Sequence, residues 1–248
     1  MTQIPKVIHY CWFGHKKLPI LEEKCFLSWK KHLPDYEIIR WDESNININE
    51  NLYIKEAYDL KKYAFVSDYI RFKILFEYGG IYIDTDVEVL RSLDILLLNE
   101  AFMGFECIDK IGPGLIIGAK KNNILIYEIL KSYYNNKFII NNVINTQTVV
   151  ERVTNILLKK GLILNGNFQI ISGMTIYPID YFSPKSYITN KINITSNTYS
   201  IHHYSGSWVP KYRKFEKYFW NTFNLPNYDF ISQIIYKTKK LINIIYNV

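Results

Sequence analysis

Cysteine is scarce in this chain of 248 residues. Cys11, Cys25 and Cys107 are an odd number at scattered positions, with no C-x-x-C pair and no Cys/His cluster, which argues against a disulfide framework or a zinc ribbon and fits a reducing cytoplasm. Also missing is any run of about 20 apolar residues of the kind that spans a bilayer. The opening MTQIPKVIHYCWFG lacks a charged region, a long apolar run and a small-residue cleavage site, so it does not read as a secretory signal. There is no repeat of fixed period. A net charge of +7 permits attraction to acidic partners, but the lysine pairs are dispersed and no recognised motif organises them, so no nucleic-acid partner is expected.

What is present is enough apolar material, 48% of the chain, for one full core. The expected organisation is one domain over residues 1–227 and a basic amphipathic helix over 228–248, where Ile231, Ile234, Ile235, Leu241, Ile242 and Ile245 recur at helical intervals among Lys237, Lys239 and Lys240. That helix either lies peripherally on the inner face of a membrane or docks its apolar side on the domain's own core.

The chain opens as strand, helix, strand. Lys6 to Phe13 is rich in β-branched and aromatic residues, Leu21, Cys25, Trp29 and Leu33 recur at every fourth position, and Tyr36 to Trp41 follows the Pro34-Asp35 break. This opening predicts an α/β fold with helices on a central sheet. Asp42 to Asn51 reads as a polar loop, and Tyr53 to Tyr78 carries helical patterning that Gly79-Gly80 ends. Ile81 to Ile83 is then a short strand that delivers Asp84-Thr85-Asp86, and Val87 to Leu90 continues extended. Further strands are expected at Ala101 to Phe105, Leu115 to Ala119, within Ile170 to Tyr177, and at Tyr199 to Tyr204, with helices at Ile124 to Tyr134 and Thr148 to Lys160.

Two acids separated by one residue at a strand end point into one cleft and can hold a hard divalent cation. Alone, a D-x-D tripeptide is weak, because acid pairs in surface turns are common. Here it ends a longer pattern: Ala64-x-x-Ser67-Asp68-x-x-Arg71, then Gly79-Gly80-Ile81-Tyr82-Ile83-Asp84-Thr85-Asp86. With the opening Ile4-Pro5-Lys6-Val7-Ile8-His9 through Trp12 and Gly14, and with His203, Ser207 and Trp208 near the far end, the run resembles glycosyltransferase family 32, a pattern shared with the catalytic domain of the large clostridial glucosylating toxins. The resemblance covers Ile4 to about Ala119 and is looser beyond.

That resemblance implies a GT-A type nucleotide-diphospho-sugar transferase fold, a central mixed sheet flanked by helices. It implies a retaining, Mn²⁺- or Mg²⁺-dependent transfer of a hexose or N-acetylhexosamine, from a UDP-sugar by preference and GDP-mannose next, to a glycan or lipid-linked oligosaccharide in bacterial capsule or lipopolysaccharide assembly. By position it gives Asp68, Arg71, Asp84 and Asp86 to catalysis, and Trp12, Asp68, Arg71, Tyr82, Asp84 and Trp208 to the nucleotide-sugar. Asp84 and Asp86, with His203 and Ser207 or Ser205, become the metal shell. Adjacent residues on an extended chain face opposite ways, so only one of His202 and His203 points inward; the spacing to Ser207-Trp208 selects His203 and leaves His202 as a surface or packed residue. Packing is the alternative for Trp12 and Tyr82, and His9 and His15 have no evident partners. No nucleophile or general base stands out, which fits a transfer that rests on positioning and on electrostatic stabilisation of the leaving diphosphate. The rival readings are a haloacid-dehalogenase-like phosphatase or phosphotransferase with Asp84 as nucleophile, and a sugar-nucleotide binding module without turnover.

Overall fold

The computed structural model describes residues 3–187 and 189–206. The helix expected over 228–248 and the boundary at 227/228 lie outside these residues. Residues up to Lys185 and from Asn193 to Ser205 make one compact unit. Residues 186–192 fall outside that unit; there the Ser186 N–H donates to the Lys191 carbonyl and the Asn190 N–H to the Ser186 carbonyl. Among the described residues no helix is long and apolar enough to cross a membrane.

The opening is strand β1 (Val7–Cys11), helix α1 (Ile20–His32) and strand β2 (Glu37–Trp41), with β1 and β2 parallel. α1 carries Glu22 and Glu23 in its first turn and Lys30, Lys31 and His32 in its last, the charge order that complements a helix dipole. The pattern expected to form one helix from Tyr53 to Tyr78 forms two, α2 (Leu52–Asp59) and α3 (Tyr63–Tyr78). The break is local: Lys61 adopts a left-handed backbone (φ 57°), and the Lys62 N–H turns back to the Ala57 carbonyl at 2.8 Å. Both connecting lysines are polar, so the apolar period runs through the break unaltered.

α3 ends as expected on two glycines. Gly79 and Gly80 have φ of 71° and 101°, and a Cβ on either would meet backbone atoms, Lys121 N at 2.6 Å and Val7 O at 2.8 Å. Strand β3 (Gly80–Ile83) then runs parallel to β1, and the chain turns through the acids into β4 (Val87–Val89). His9, buried in β1, locks this turn from beneath. The Trp41 indole can only donate, so His9 Nδ1 accepts from it at 3.1 Å, and Nε2 therefore carries the proton given to the Gly79 carbonyl at 2.9 Å. Burial lowers the His9 pKa to about 4, against the raising effect of the Gly79 hydrogen bond, so the ring is neutral.

The rest of the sheet is completed by β5 (Ala101–Cys107), the short β6 (Lys110–Ile111), β7 (Ile116–Ala119), β10 (Gln169–Ile171) and β11 (Met174–Tyr177). Its order is β10-β11-β5-β7-β3-β1-β2, with β6 on β5; β7 is antiparallel to both β3 and β5, and β11 is parallel to β5. The expected run to Tyr177 is thus a hairpin, turned at Ser172 and Gly173, both at positive φ as a two-residue type I′ turn requires. Helix α4 (Ile124–Lys131), the small hairpin β8 (Ile139–Ile140) with β9 (Val143–Ile144), helix α5 (Val149–Leu158) and helix α6 (Ile179–Phe182) follow in their places along the chain. Thr148 opens α5 with a reciprocal capping box to Glu151, so this helix starts where the sequence signals it.

Two apolar clusters make up the core. One joins Tyr53, Phe72, Tyr133 and Phe138 to Met103 and Phe105, and the other joins Trp29, Ile83 and Val87 to Phe102 and Phe182. The expected mixed sheet flanked by helices is what the chain forms. Strand β12 (Ser200–His202) pairs antiparallel with β4, placing Ser200 opposite Val89 and His202 opposite Val87, so a late segment lies against the chain that leaves the acids.

Candidate active site

The candidate site is assembled on α3. Asp68 and Arg71 lie three residues apart on one helical face, and Arg71 Nη2 reaches Asp68 Oδ1 at 2.8 Å and Asp84 Oδ1 at 3.3 Å. The other guanidinium nitrogens are also fixed, Nη1 donating to the Pro113 carbonyl at 3.0 Å and Nε to the Ser67 carbonyl at 3.2 Å. Tyr82 shares the Asp84 side of its strand, as the two-residue period requires. Its hydroxyl donates to Asp84 Oδ1 at 3.1 Å and its ring lies under Arg71 at 4.8 Å. Gly114 closes this side: a Cβ there would collide with Asp84 Oδ2.

α1 sets the other strand. The Trp29 indole donates to the Val87 carbonyl at 2.7 Å, and the Val89 N–H donates to Ser28 Oγ at 2.9 Å, so β4 leaves the acids in a fixed direction. The segment after β12 wraps Asp86. Its Oδ1 lies 3.1 Å from His202 Nε2, its Oδ2 accepts the Ser205 N–H at 2.8 Å, and its carbonyl accepts the His203 N–H at 2.9 Å.

This reverses the expected choice between the histidines. His202 lies on Asp86, whereas the His203 ring is 2.9 Å from Glu88 Oε2. Strand register decides: pairing His202 with Val87 sends the two rings to opposite sides. Ser205 does reach Asp86, through its backbone N–H. Ser207 and Trp208 lie outside the described residues. Trp12 stands just beyond β1, half-buried, its indole N–H on the Lys16 carbonyl at 2.6 Å. His15 lies 3.8 Å from Glu43.

Their surroundings push the two acids in opposite directions. Burial works against ionisation of Asp86, but His202 and the Ser205 N–H outweigh it and hold the carboxyl well below the usual carboxylate range. Asp84 is raised, by burial first, with Arg71 opposing and Asp86 adding to it. Burial also raises Asp68, to about 7, against the pull of Arg71 and Arg152. The donor set of Asp84 and Asp86 is two hard carboxylates, one of them firmly ionised, and this chemistry suits a divalent cation of the magnesium or manganese type. Among the described residues no group of three His, Cys, Asp or Glu side chains converges as a complete metal shell.

One nearby acid escaped the sequence reading. Glu106 stands at the end of β5, and its charge is felt at Asp84, His202 and Lys110; burial raises its pKa. An acid closing the apolar run Ala101 to Phe105 is the same signal that marks Asp84, and the turn Gly112-Pro113-Gly114 follows it in sequence.

The site thus sets an acid pair at a strand end beside a buried Asp/Arg pair on the preceding helix. Residues 19–103 match the family described as the glycosyltransferase sugar-binding region containing a DXD motif. Over 107 residues, 40% of this chain and 29% of the relative, the chain is 35% identical to inositol phosphoceramide mannosyltransferase 3 of Schizosaccharomyces pombe. Over 230 residues, 89% of this chain and 90% of the relative, it is 26% identical to an uncharacterized glycosyltransferase of Acanthamoeba polyphaga mimivirus. Among solved structures, the PaToxG glycosyltransferase superposes with a TM-score of 0.49 at 19% identity, covering 64% of this chain and 70% of that one. The chain spans about a third of the length of the S. pombe mannosyltransferases it matches.

Proposed function

We propose that the chain is a glycosyltransferase of the GT-A type that transfers a hexose or N-acetylhexosamine from a nucleotide-diphospho-sugar to a glycan acceptor, with retention and with Mn²⁺ or Mg²⁺ held by Asp86 and Asp84. The observation that carries this reading is the convergence of Asp68, Arg71, Tyr82 and Asp84 beside an ionised Asp86, inside a region that matches the DXD family. The cation, when bound, would neutralise charge on the leaving diphosphate.

The chain's own residues would supply the rest. Arg71 is a fixed, buried cation whose four contacts hold its plane in place, so it presents positive charge without reorganisation at the moment of reaction. Tyr82 and Arg71 share Asp84 Oδ1, which keeps that carboxylate oriented. An Asp84 so engaged is poorly disposed to be a nucleophile, which weighs against the phosphatase reading. Surface-glycan assembly is the role proposed for the product, with a membrane-bound acceptor met through residues 228–248 and a cytoplasmic location. The S. pombe relatives are named mannosyltransferases, which puts GDP-mannose beside the UDP-sugars as a donor to try.

The test is Mn²⁺-dependent hydrolysis across UDP- and GDP-sugars, with a phosphomonoester as control. Selective cleavage of one nucleotide-sugar, abolished by EDTA and restored by Mn²⁺, is expected. Turnover of the phosphomonoester alone would overturn the reading in favour of a phosphatase, and tight donor binding with no cleavage, even with sugar acceptors added, would make the chain a binding module.

A further inference from the structure

Two features of the backbone place Glu106 near the acids of the site. Phe105 and Cys107 on β5 pair with Ile111 and Lys110 on β6, so Glu106 is the extra residue of a β-bulge. Bulges re-aim side chains at the ends of strands, often beside active sites. The loop that returns from β6 presses on both Glu106 and Asp84. A Cβ on Gly112 would stand 2.9 Å from Glu106 Cβ, and one on Gly114 would collide with Asp84 Oδ2, while Pro113 between them gives its carbonyl to Arg71. One tripeptide therefore ties Glu106 to the acid and the arginine of the site.

The other acids of the site are all engaged: Asp68 and Asp84 by Arg71, Asp86 by His202 and Ser205. Among the described residues the Glu106 carboxylate makes no hydrogen bond or ion pair, and the residue is half-buried. A carboxylate offers only acceptor oxygens and repels phosphate. It is matched instead to O–H donors, and a sugar brings several. Charge thus divides the site: Arg71 suits the diphosphate, and Glu106 suits the uncharged, hydroxyl-bearing part of the substrate.

Building on the transferase reading above, we propose that Glu106 is a substrate-binding residue whose carboxylate accepts hydrogen bonds from sugar hydroxyls at the site. Those hydroxyls belong either to the donor's hexose or to the acceptor sugar. The chemistry is shared, and the experiment separates the two sources.

The test uses the full chain and its Glu106→Gln and Glu106→Ala variants with Mn²⁺. Calorimetry measures UDP-glucose and GDP-mannose against UDP and GDP alone, and transfer to a panel of methyl glycosides gives an acceptor KM. If the donor sugar is the ligand, affinity for the nucleotide-sugar that wild type prefers falls about tenfold in both variants, while affinity for the bare nucleotide stays within twofold. If the acceptor is the ligand, donor affinity stays put and the methyl glycoside KM rises about tenfold. Equal losses for nucleotide-sugar and bare nucleotide would show a merely structural role and overturn the proposal, as would no change in either arm. A wild-type chain that binds no nucleotide-sugar overturns the transferase reading and this assignment with it. A wild type that binds, beside variants that behave identically, overturns the Glu106 assignment alone.

Discussion

Helix α3 with strand β3, and the segment from Ser200 to Ser205, meet at Asp84 and Asp86 yet hold them by different physics. On the α3 side the groups are charges buried together: Arg71 is 3% exposed and pairs with two carboxylates that desolvation pushes toward neutrality. On the later side the contribution is mostly backbone: the Ser205 N–H and the His202 imidazole meet a carboxylate that stays ionised, and the His203 N–H meets the Asp86 backbone carbonyl. A buried charge network is costly to break and fixes geometry, whereas a strand edge with a few N–H donors can shape a site at smaller cost to the fold.

The comparison is tested most severely at Arg71. Arg71→Met should destabilise the protein by about 4 kcal/mol, because Asp68 and Asp84 are left buried without their cation. Urea denaturation reads this directly, and a loss under about 1 kcal/mol would mean that the α3 side is not held by charge. Arg71→Lys should not restore donor turnover, since an ammonium cannot span the Asp68, Asp84 and Pro113 acceptors at once.

His9 probes the same side through pH. Its folded pKa of about 4 lies below the ordinary 6.5, so the unfolded chain binds the proton more tightly. Its contribution to stability is complete above about pH 6.5 and is lost as pH falls toward 4, by up to about 3 kcal/mol. Urea midpoints at pH 7.5 and 4.5 should differ by clearly less in His9→Gln than in wild type; parallel shifts would count against a neutral, locked His9.

On the shared acids, Asp86→Ala should lower donor turnover about 100-fold, roughly 2.7 kcal/mol, with the circular dichroism spectrum retained. Full activity in a folded variant would remove Asp86 from the metal site. The smallest expected effect separates the histidines: His202→Gln should cost about tenfold in kcat/KM and His203→Gln less than twofold. The opposite ranking would restore the choice that spacing alone suggested.

Much of the α3 side could be read in the sequence because its parts are near neighbours along the chain. Asp68 and Arg71 are one helical turn apart, Gly79-Gly80 stops that helix, and Tyr82 and Asp84 alternate on the strand that follows. Local periods carry such information. The break at Lys61 escaped because a single left-handed residue leaves the apolar pattern intact.

The later side could not be read in the same way. Whether His202 or His203 meets Asp86 depends on the register of β12 against β4, set by partners more than 100 residues apart. A slip of one residue would exchange their faces. Glu106 was hidden for a related reason: its direction comes from a bulge against β6, and its nearness to Asp84 from the return of Gly112-Pro113-Gly114.

The sequence by itself determined the α/β class, the helix-to-strand turn and the acids at its end, because hydrophobic period, helical spacing and glycine conformation act within a few residues. Only the tertiary structure decided which histidine reaches Asp86, that Arg71 bridges two carboxylates, and that Glu106 stands beside them. Those outcomes depend on strand register and on the burial of distant charges against one another, and neither is written in any short stretch of the chain.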